Sequence, residues 1–99
     1  MVNIISTNIN QQLLKLSKIE HGWLEGEGKK ISQETLDYCG QELERFFSDN
    51  PTFPIPFLYP TPEGGINCEW DFFGEYRNYL FEVEFLPNQT YEIFFEKLY

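Results

Sequence analysis

YPTPEGGINCEWDF, residues 59–72, joins a tight turn to the first clear strand of the chain. Gly64 and Gly65 supply the positive backbone dihedrals that a hairpin turn needs. After the turn, apolar residues alternate with polar ones, and this period of two predicts a strand. A slip of one residue would exchange every apolar side chain for a polar one, so the turn fixes the register. The apolar positions are Ile66, Cys68, Trp70 and Phe72, and the polar positions are Asn67, Glu69 and Asp71.

The same alternation recurs twice downstream. It predicts strands at about 66–72, 79–86 and 91–98, and the dense prolines of residues 51–62 leave room for a short edge strand at about 57–59. One face of these strands is aromatic and aliphatic, and we expect it to turn toward the helices. In the last two strands these inward positions are Tyr79, Phe81, Val83, Phe85, Tyr91, Ile93 and Phe95.

Two helices precede the strands. Apolar residues at three- and four-residue steps predict a first helix over about 8–19, capped by Thr7. Ser32 caps a second helix over about 32–49, which ends before Pro51. Two helices followed by an antiparallel meander of about four strands predict an α+β fold, with both helices on one face of the sheet.

Composition limits the classes of function. The chain has 99 residues, which predicts a single domain over 1–99, and 18% aromatic residues, which predict a core of large rings. Its formal net charge is −9. A protein so acidic repels phosphate at a distance, which argues against direct binding of nucleic acid or an anionic membrane and favours a basic protein surface as partner.

Targeting and membrane-spanning segments bear on cellular location. The N-terminus lacks a basic-then-apolar secretion signal, and no apolar stretch is long enough to span a membrane, so we expect a cytoplasmic protein. Cys39 and Cys68 are far apart from each other and from His21, which does not fit a zinc site. Both read as buried thiols in a reducing compartment, with a disulfide between them left open.

The polar side of the predicted sheet is the candidate site. It carries acidic residues on three neighbouring strands with no lysine or arginine between them, and three apolar residues lie among the acids. Such a surface resembles an interface core with a polar rim. The predicted partner-binding residues are Glu69, Asp71, Leu80, Glu82, Glu84, Leu86, Glu92, Phe94 and Glu96.

Three other interpretations stay open. The acids can form a solvated face whose repulsion prevents aggregation through the sheet edges. Asp71, Glu82 and Glu84 can instead hold a divalent ion in a metal-dependent hydrolase, although the chain lacks a basic path for a phosphate backbone. The chain can also be a self-associating structural module, a homodimer that pairs through an edge strand or through the apolar spots.

Two stretches together resemble a family of small, mostly uncharacterised bacterial proteins. They are Gly22-Trp23-Leu24-Glu25-Gly26-Glu27-Gly28, and Tyr59-Pro60-Thr61-Pro62-Glu63-Gly64-Gly65-Ile66 followed by Glu69-Trp70. The family shares a glycine-rich loop that begins Gly-Trp, a helix, and a Pro-Thr-x-x-Gly-Gly hairpin that leads to Glu-Trp. The resemblance covers about residues 20–72 and implies a shared fold, with no catalytic residue or cofactor to carry over. By analogy it implies an accessory role of the antitoxin, immunity or anti-defence type.

The sequence thus predicts a non-enzymatic binding protein without metal or cofactor. Its carboxylate-rich face would dock on a basic surface of a nucleic-acid-handling protein, such as a nuclease, a toxin or a CRISPR effector, and inhibit or regulate it.

Overall fold

The computed structural model describes residues 4–70 and 79–97, which form two helices and one four-stranded sheet. The strands follow one another in the order β1-β2-β3-β4, and each neighbouring pair is antiparallel. Both helices pack on the sheet, so the predicted α+β fold is confirmed. The elements are α1 (Ile4–Ser17), α2 (Gln33–Asp49), β1 (Phe57–Pro60), β2 (Ile66–Trp70), β3 (Tyr79–Phe85) and β4 (Tyr91–Lys97).

The two helices differ in how well their starts match the predictions. The expected cap of α2 is confirmed, because the Thr35 N–H donates to the Ser32 hydroxyl at 3.2 Å. The expected cap of α1 is wrong: the helix begins at Ile4, and Thr7 lies inside it. Ile5, one turn before the buried Ile9, packs against the core and continues the apolar stripe toward the N-terminus.

The core lies between the helices and the first three strands. Trp70 is at its centre, 2% exposed, with the rings of Phe46, Phe53 and Phe81 around it. The indole N–H of Trp70 donates to the Pro54 carbonyl at 2.7 Å, which satisfies its buried polar atom. The buried apolar residues are Ile9, Leu16, Ile31, Leu36, Cys39, Leu43, Phe47, Leu58, Ile66, Cys68, Trp70 and Phe85.

The helical layer is displaced toward β1. α1 packs on β1 and α2, whereas α2 packs on β2 and β3. Gln12 links α1 to this edge: it donates to the Pro56 carbonyl and accepts from the Leu58 N–H, both at 2.9 Å.

The strand farthest from α1 is therefore not covered. Tyr91, Ile93 and Phe95 lie on the helix side of β4, opposite Phe85, Val83 and Phe81 in the register, but they are 50%, 58% and 63% exposed. The expectation that these three side chains turn into a helix-covered core is wrong, because neither helix extends over β4. Within the described residues, no helix is long and apolar enough to cross a membrane.

Candidate functional site

Strand register places the predicted glutamates on one face of the sheet, opposite the helices. Glu69 faces Glu82 across β2 and β3, and Glu84 faces Glu92 across β3 and β4. Glu96 faces Leu80. We call this surface, formed by Glu69, Glu82, Glu84, Glu92 and Glu96, the acidic face.

The hydrogen-bond pattern sets the spacing of the two glutamate pairs. Leu86 N–H donates to the Thr90 carbonyl at 2.8 Å, so pairs alternate along the β3–β4 hairpin and Glu84–Glu92 is a hydrogen-bonded pair. The same alternation leaves Glu69–Glu82 as a non-hydrogen-bonded pair. Typical Cα separations are about 5.5 Å for the first kind and about 4.5 Å for the second. Each such like-charge pair destabilises a sheet by a few tenths to about 1 kcal/mol.

Positive side chains do not relieve this repulsion in the part of the chain that the structure describes. There, ion pairs join Lys30 to Glu20 and Arg45 to Glu42, and both lie away from the acidic face. Burial raises the pKa of Glu84, and the nearby carboxylates of Glu92, Glu63 and Glu82 raise it further.

Glu63 is an addition to the predicted site. It lies in the turn between β1 and β2, and its charge helps raise the pKa of Glu84 on β3. The sequence does not indicate this proximity, because β3 does not adjoin that turn along the chain. Register explains the proximity, because Ile66 at the start of β2 pairs with Phe85 at the end of β3.

Exposed aromatic rings flank the acids. Phe94 faces Glu82 and is 45% exposed, as expected. Phe57, opposite Glu69, is 53% exposed, and Tyr59, opposite Asn67, is 44% exposed; both extend the face but were not predicted. Their alternation with the buried Leu58 is the signal that could have identified them. Of the two predicted leucines, Leu80 is half-buried in β3 and Leu86 is half-buried in the turn after it.

The other residues considered as chemical sites are Asp71, Cys39, Cys68 and His21. Asp71 lies outside the described residues, and across 4–70 and 79–97 no three histidine, cysteine, aspartate or glutamate side chains form a group that could hold a metal ion. Cys39 and Cys68 are free, fully buried thiols, and a hydrogen bond to Cys39, together with burial, raises the pKa of Cys68. The His21 ring accepts a hydrogen bond from the Lys30 N–H at 3.1 Å, which gives it a structural role.

Concave regions lie on the helix side of the described residues. One is a cleft of about 380 Å³ between α1 and α2, with Glu44 as its acidic residue. The other is a groove of about 180 Å³ between α2 and the β3–β4 hairpin, lined mainly by apolar side chains that include Phe46, Val83, Tyr91 and Ile93.

The glycine-rich loop of residues 22–28 and the β1–β2 turn contact each other. Lys29 N–H donates to the Pro62 carbonyl at 2.9 Å, so the glycine-rich loop lies against the β1–β2 turn. Trp23 closes its own loop by donating to the Lys29 carbonyl at 3.2 Å. Gly28 has φ +93°, and a Cβ there would lie 2.6 Å from the Trp23 indole nitrogen, so the loop requires glycine. These contacts give both stretches a structural reason for their composition.

Comparison of the chain with protein-family models, with curated proteins and with solved structures finds no match.

Proposed function

We propose that the protein is a non-enzymatic binding protein that docks its acidic face on a basic protein surface, and thereby inhibits or regulates a nucleic-acid-handling partner in a reducing cytoplasm. One observation carries the proposal: five glutamates share a face in which two pairs oppose each other directly. Lysine or threonine at any of these positions would stabilise the sheet, so the unrelieved repulsion needs a compensating role. A cationic partner provides that compensation.

The flanking rings support an interface rather than a purely solvating surface. Phe57 and Phe94 lie at the two ends of the row that contains Glu69 and Glu82. Exposed aromatic residues are enriched in protein interfaces, where they contribute much of the binding energy. Charge would therefore steer the encounter, and the rings would hold the complex.

The dense carboxylates also favour one class of partner. A protein that binds nucleic acid presents lysines and arginines arranged for phosphates. A sheet face with acids at strand spacing, about 4.8 Å apart, offers these residues an alternative set of negative charges. The proposed activity, in the manner of an antitoxin, an immunity protein or an anti-CRISPR protein, is then competition with nucleic acid for that surface.

Charge reversal tests the proposal. The variant Glu82→Lys/Glu84→Lys places each new lysine opposite a glutamate, so the fold is expected to persist. The matched control Glu27→Lys/Glu44→Lys changes the net charge equally at two exposed positions outside the sheet. Proteins captured from the source cell by the wild type and the control at low salt should be lost with the first variant, and also in about 1 M salt. Capture that is equal for all three proteins would refute docking through the acidic face.

A purified captured partner then allows a direct competition assay. The protein should displace a labelled nucleic acid from that partner, and the charge-reversed variant should fail to do so. Simultaneous binding of both ligands would contradict the proposed competition.

A further inference from the structure

The two edges of the sheet differ in how their backbone groups are satisfied. At the β1 edge, Gln12 binds both the Pro56 carbonyl and the Leu58 N–H, and Pro60 has no N–H to offer. Short length, proline and a covering side chain are the usual means by which proteins protect an edge strand from pairing. β1 uses all three.

β4 has none of these three features, although Glu92, Glu96 and Lys97 place charges along it. It is seven residues long, contains no proline or glycine, and pairs with β3 without interruption from Tyr91 to Lys97. Because Glu84–Glu92 is a hydrogen-bonded pair, the backbone N–H and C=O groups of Tyr91, Ile93 and Phe95 point away from β3, toward the free edge. Within 4–70 and 79–97 these groups have no hydrogen-bond partner.

Apolar side chains accompany this free edge. Tyr91, Ile93 and Phe95 are each at least half exposed, and Tyr91 and Ile93 also line the groove between α2 and the β3–β4 hairpin. An exposed, long, apolar edge strand is the usual template for pairing with another chain.

We infer that a second copy of this chain occupies the β4 edge, in an antiparallel pairing of β4 with β4 centred on Ile93. In this register Tyr91 faces Phe95, Ile93 faces Ile93, and Glu92 faces Phe94. The alternating pattern gives six backbone hydrogen bonds across the new pair, from Tyr91, Ile93 and Phe95 of each copy.

Charge selects this register over its neighbours. Centring the pair on Phe94 places Glu92 opposite Glu96 twice, and centring it on Phe95 places the Lys97 ammonium opposite the Ile93 side chain. Centring on Ile93 avoids both and pairs two aromatic rings instead, which stabilises an antiparallel sheet.

Oligomeric state and salt response provide the first test. Sedimentation equilibrium should give twice the chain mass of 11.8 kDa at high protein concentration. Two chains of charge −9 repel, so added salt should tighten the dimer, whereas docking on a basic partner should weaken in salt. The opposite salt responses separate a failure of this inference from a failure of the proposed function.

Variants test the strand and its register. Ile93→Lys places two ammonium groups opposite each other and should reduce the mass to that of one chain, while Phe57→Lys on the other edge strand should leave the dimer intact. Ile93→Cys should form an intermolecular disulfide under oxidation, because opposed residues in a hydrogen-bonded pair lie about 5.5 Å apart, within disulfide range. Tyr91→Cys alone should not, but should cross-link when mixed with Phe95→Cys. The native thiols are fully buried and do not compete.

Any of these results would overturn the inference: a single-chain mass at every concentration, a dimer that Ile93→Lys leaves unchanged in a folded protein, or a disulfide from Tyr91→Cys alone. A monomer whose capture of a heterologous protein is lost in Ile93→Lys would also overturn it, and would assign the edge to that protein. Circular dichroism of each variant confirms that the fold is retained.

Discussion

Replacing Glu84 by glutamine removes one charge from the most crowded part of the acidic face and should stabilise the protein. Glu84 faces Glu92; burial raises the pKa of Glu84, and the carboxylates of Glu92, Glu63 and Glu82 raise it further. Relief of one directly opposed like-charge pair is worth a few tenths to about 1 kcal/mol. For a chain of this length, a gain of about 0.5–1 kcal/mol raises Tm by roughly 2–8 °C.

The gain should depend on pH in a definite direction. Because the pKa of Glu84 is raised above its usual value of 4.5, the folded state binds more protons than the unfolded state in the window just above that value. The unfavourable contribution is therefore absent below pH 4.5 and develops as pH rises through the folded pKa. Glu84→Gln should be more stable than the wild type at pH 7, and the difference should vanish below pH 4.5.

Urea denaturation followed by tryptophan fluorescence measures the free energy of unfolding of both proteins at pH 7 and below pH 4.5, with Trp70 as the buried reporter. Glu44→Gln, at an exposed position on α2, is the control and should change stability little. A loss of stability in Glu84→Gln at pH 7, or a gain that persists in acid, would refute the argument that charge repulsion destabilises this face.

Two further predictions concern the helix side of the sheet. Gln12→Ala removes both hydrogen bonds to the β1 edge and should lower the free energy of unfolding by about 1–3 kcal/mol. The control Gln11→Ala, at an exposed neighbouring position, should have a small effect. Equal effects of the two variants in urea denaturation would show that the edge contact is not specific. Cys39 and Cys68 should resist a thiol-specific reagent in the native protein and react fully in denaturant. Both thiols are completely buried, and the thiolate of Cys68 is disfavoured. Rapid modification of the native protein would contradict their burial.

Local patterns predicted the face of each strand well, because side-chain alternation is a property of a single strand. Glu69, Glu82 and Glu84 share a face for this reason. In the turn before β2, Gly64 has the expected positive φ, at +93°, whereas the expectation of a positive φ at Gly65 is wrong. Burial of Trp70 followed from the same alternation.

The position of the helices over the sheet could not be predicted in the same way. It involves contacts distant in sequence, such as those of Gln12, whose two partners lie 44 and 46 residues along the chain, and no periodicity in α1 indicates that contact. Alternation showed that Tyr91, Ile93 and Phe95 share a side, but it does not show whether another layer covers that side. The start of α1 was missed because Thr7 is a good cap residue at a position that the chain uses inside a helix.

The inferred pairing of β4 with β4 has a geometric consequence for the proposed docking. A two-fold axis perpendicular to the sheet keeps the acidic faces of both copies on the same side, because opposed residues in an antiparallel pair share a face. The acids lie on β2–β4 of each copy, so six strands at about 4.8 Å spacing would present one acidic surface about 24 Å across. Glu92 and Glu96 of each copy would lie at its centre, next to the Phe94 rings, and the repulsion between them would be screened best by a bound cationic surface. Partner binding would therefore strengthen the dimer at low salt, and the dimer would strengthen partner binding to the same degree, since coupling between two equilibria is reciprocal.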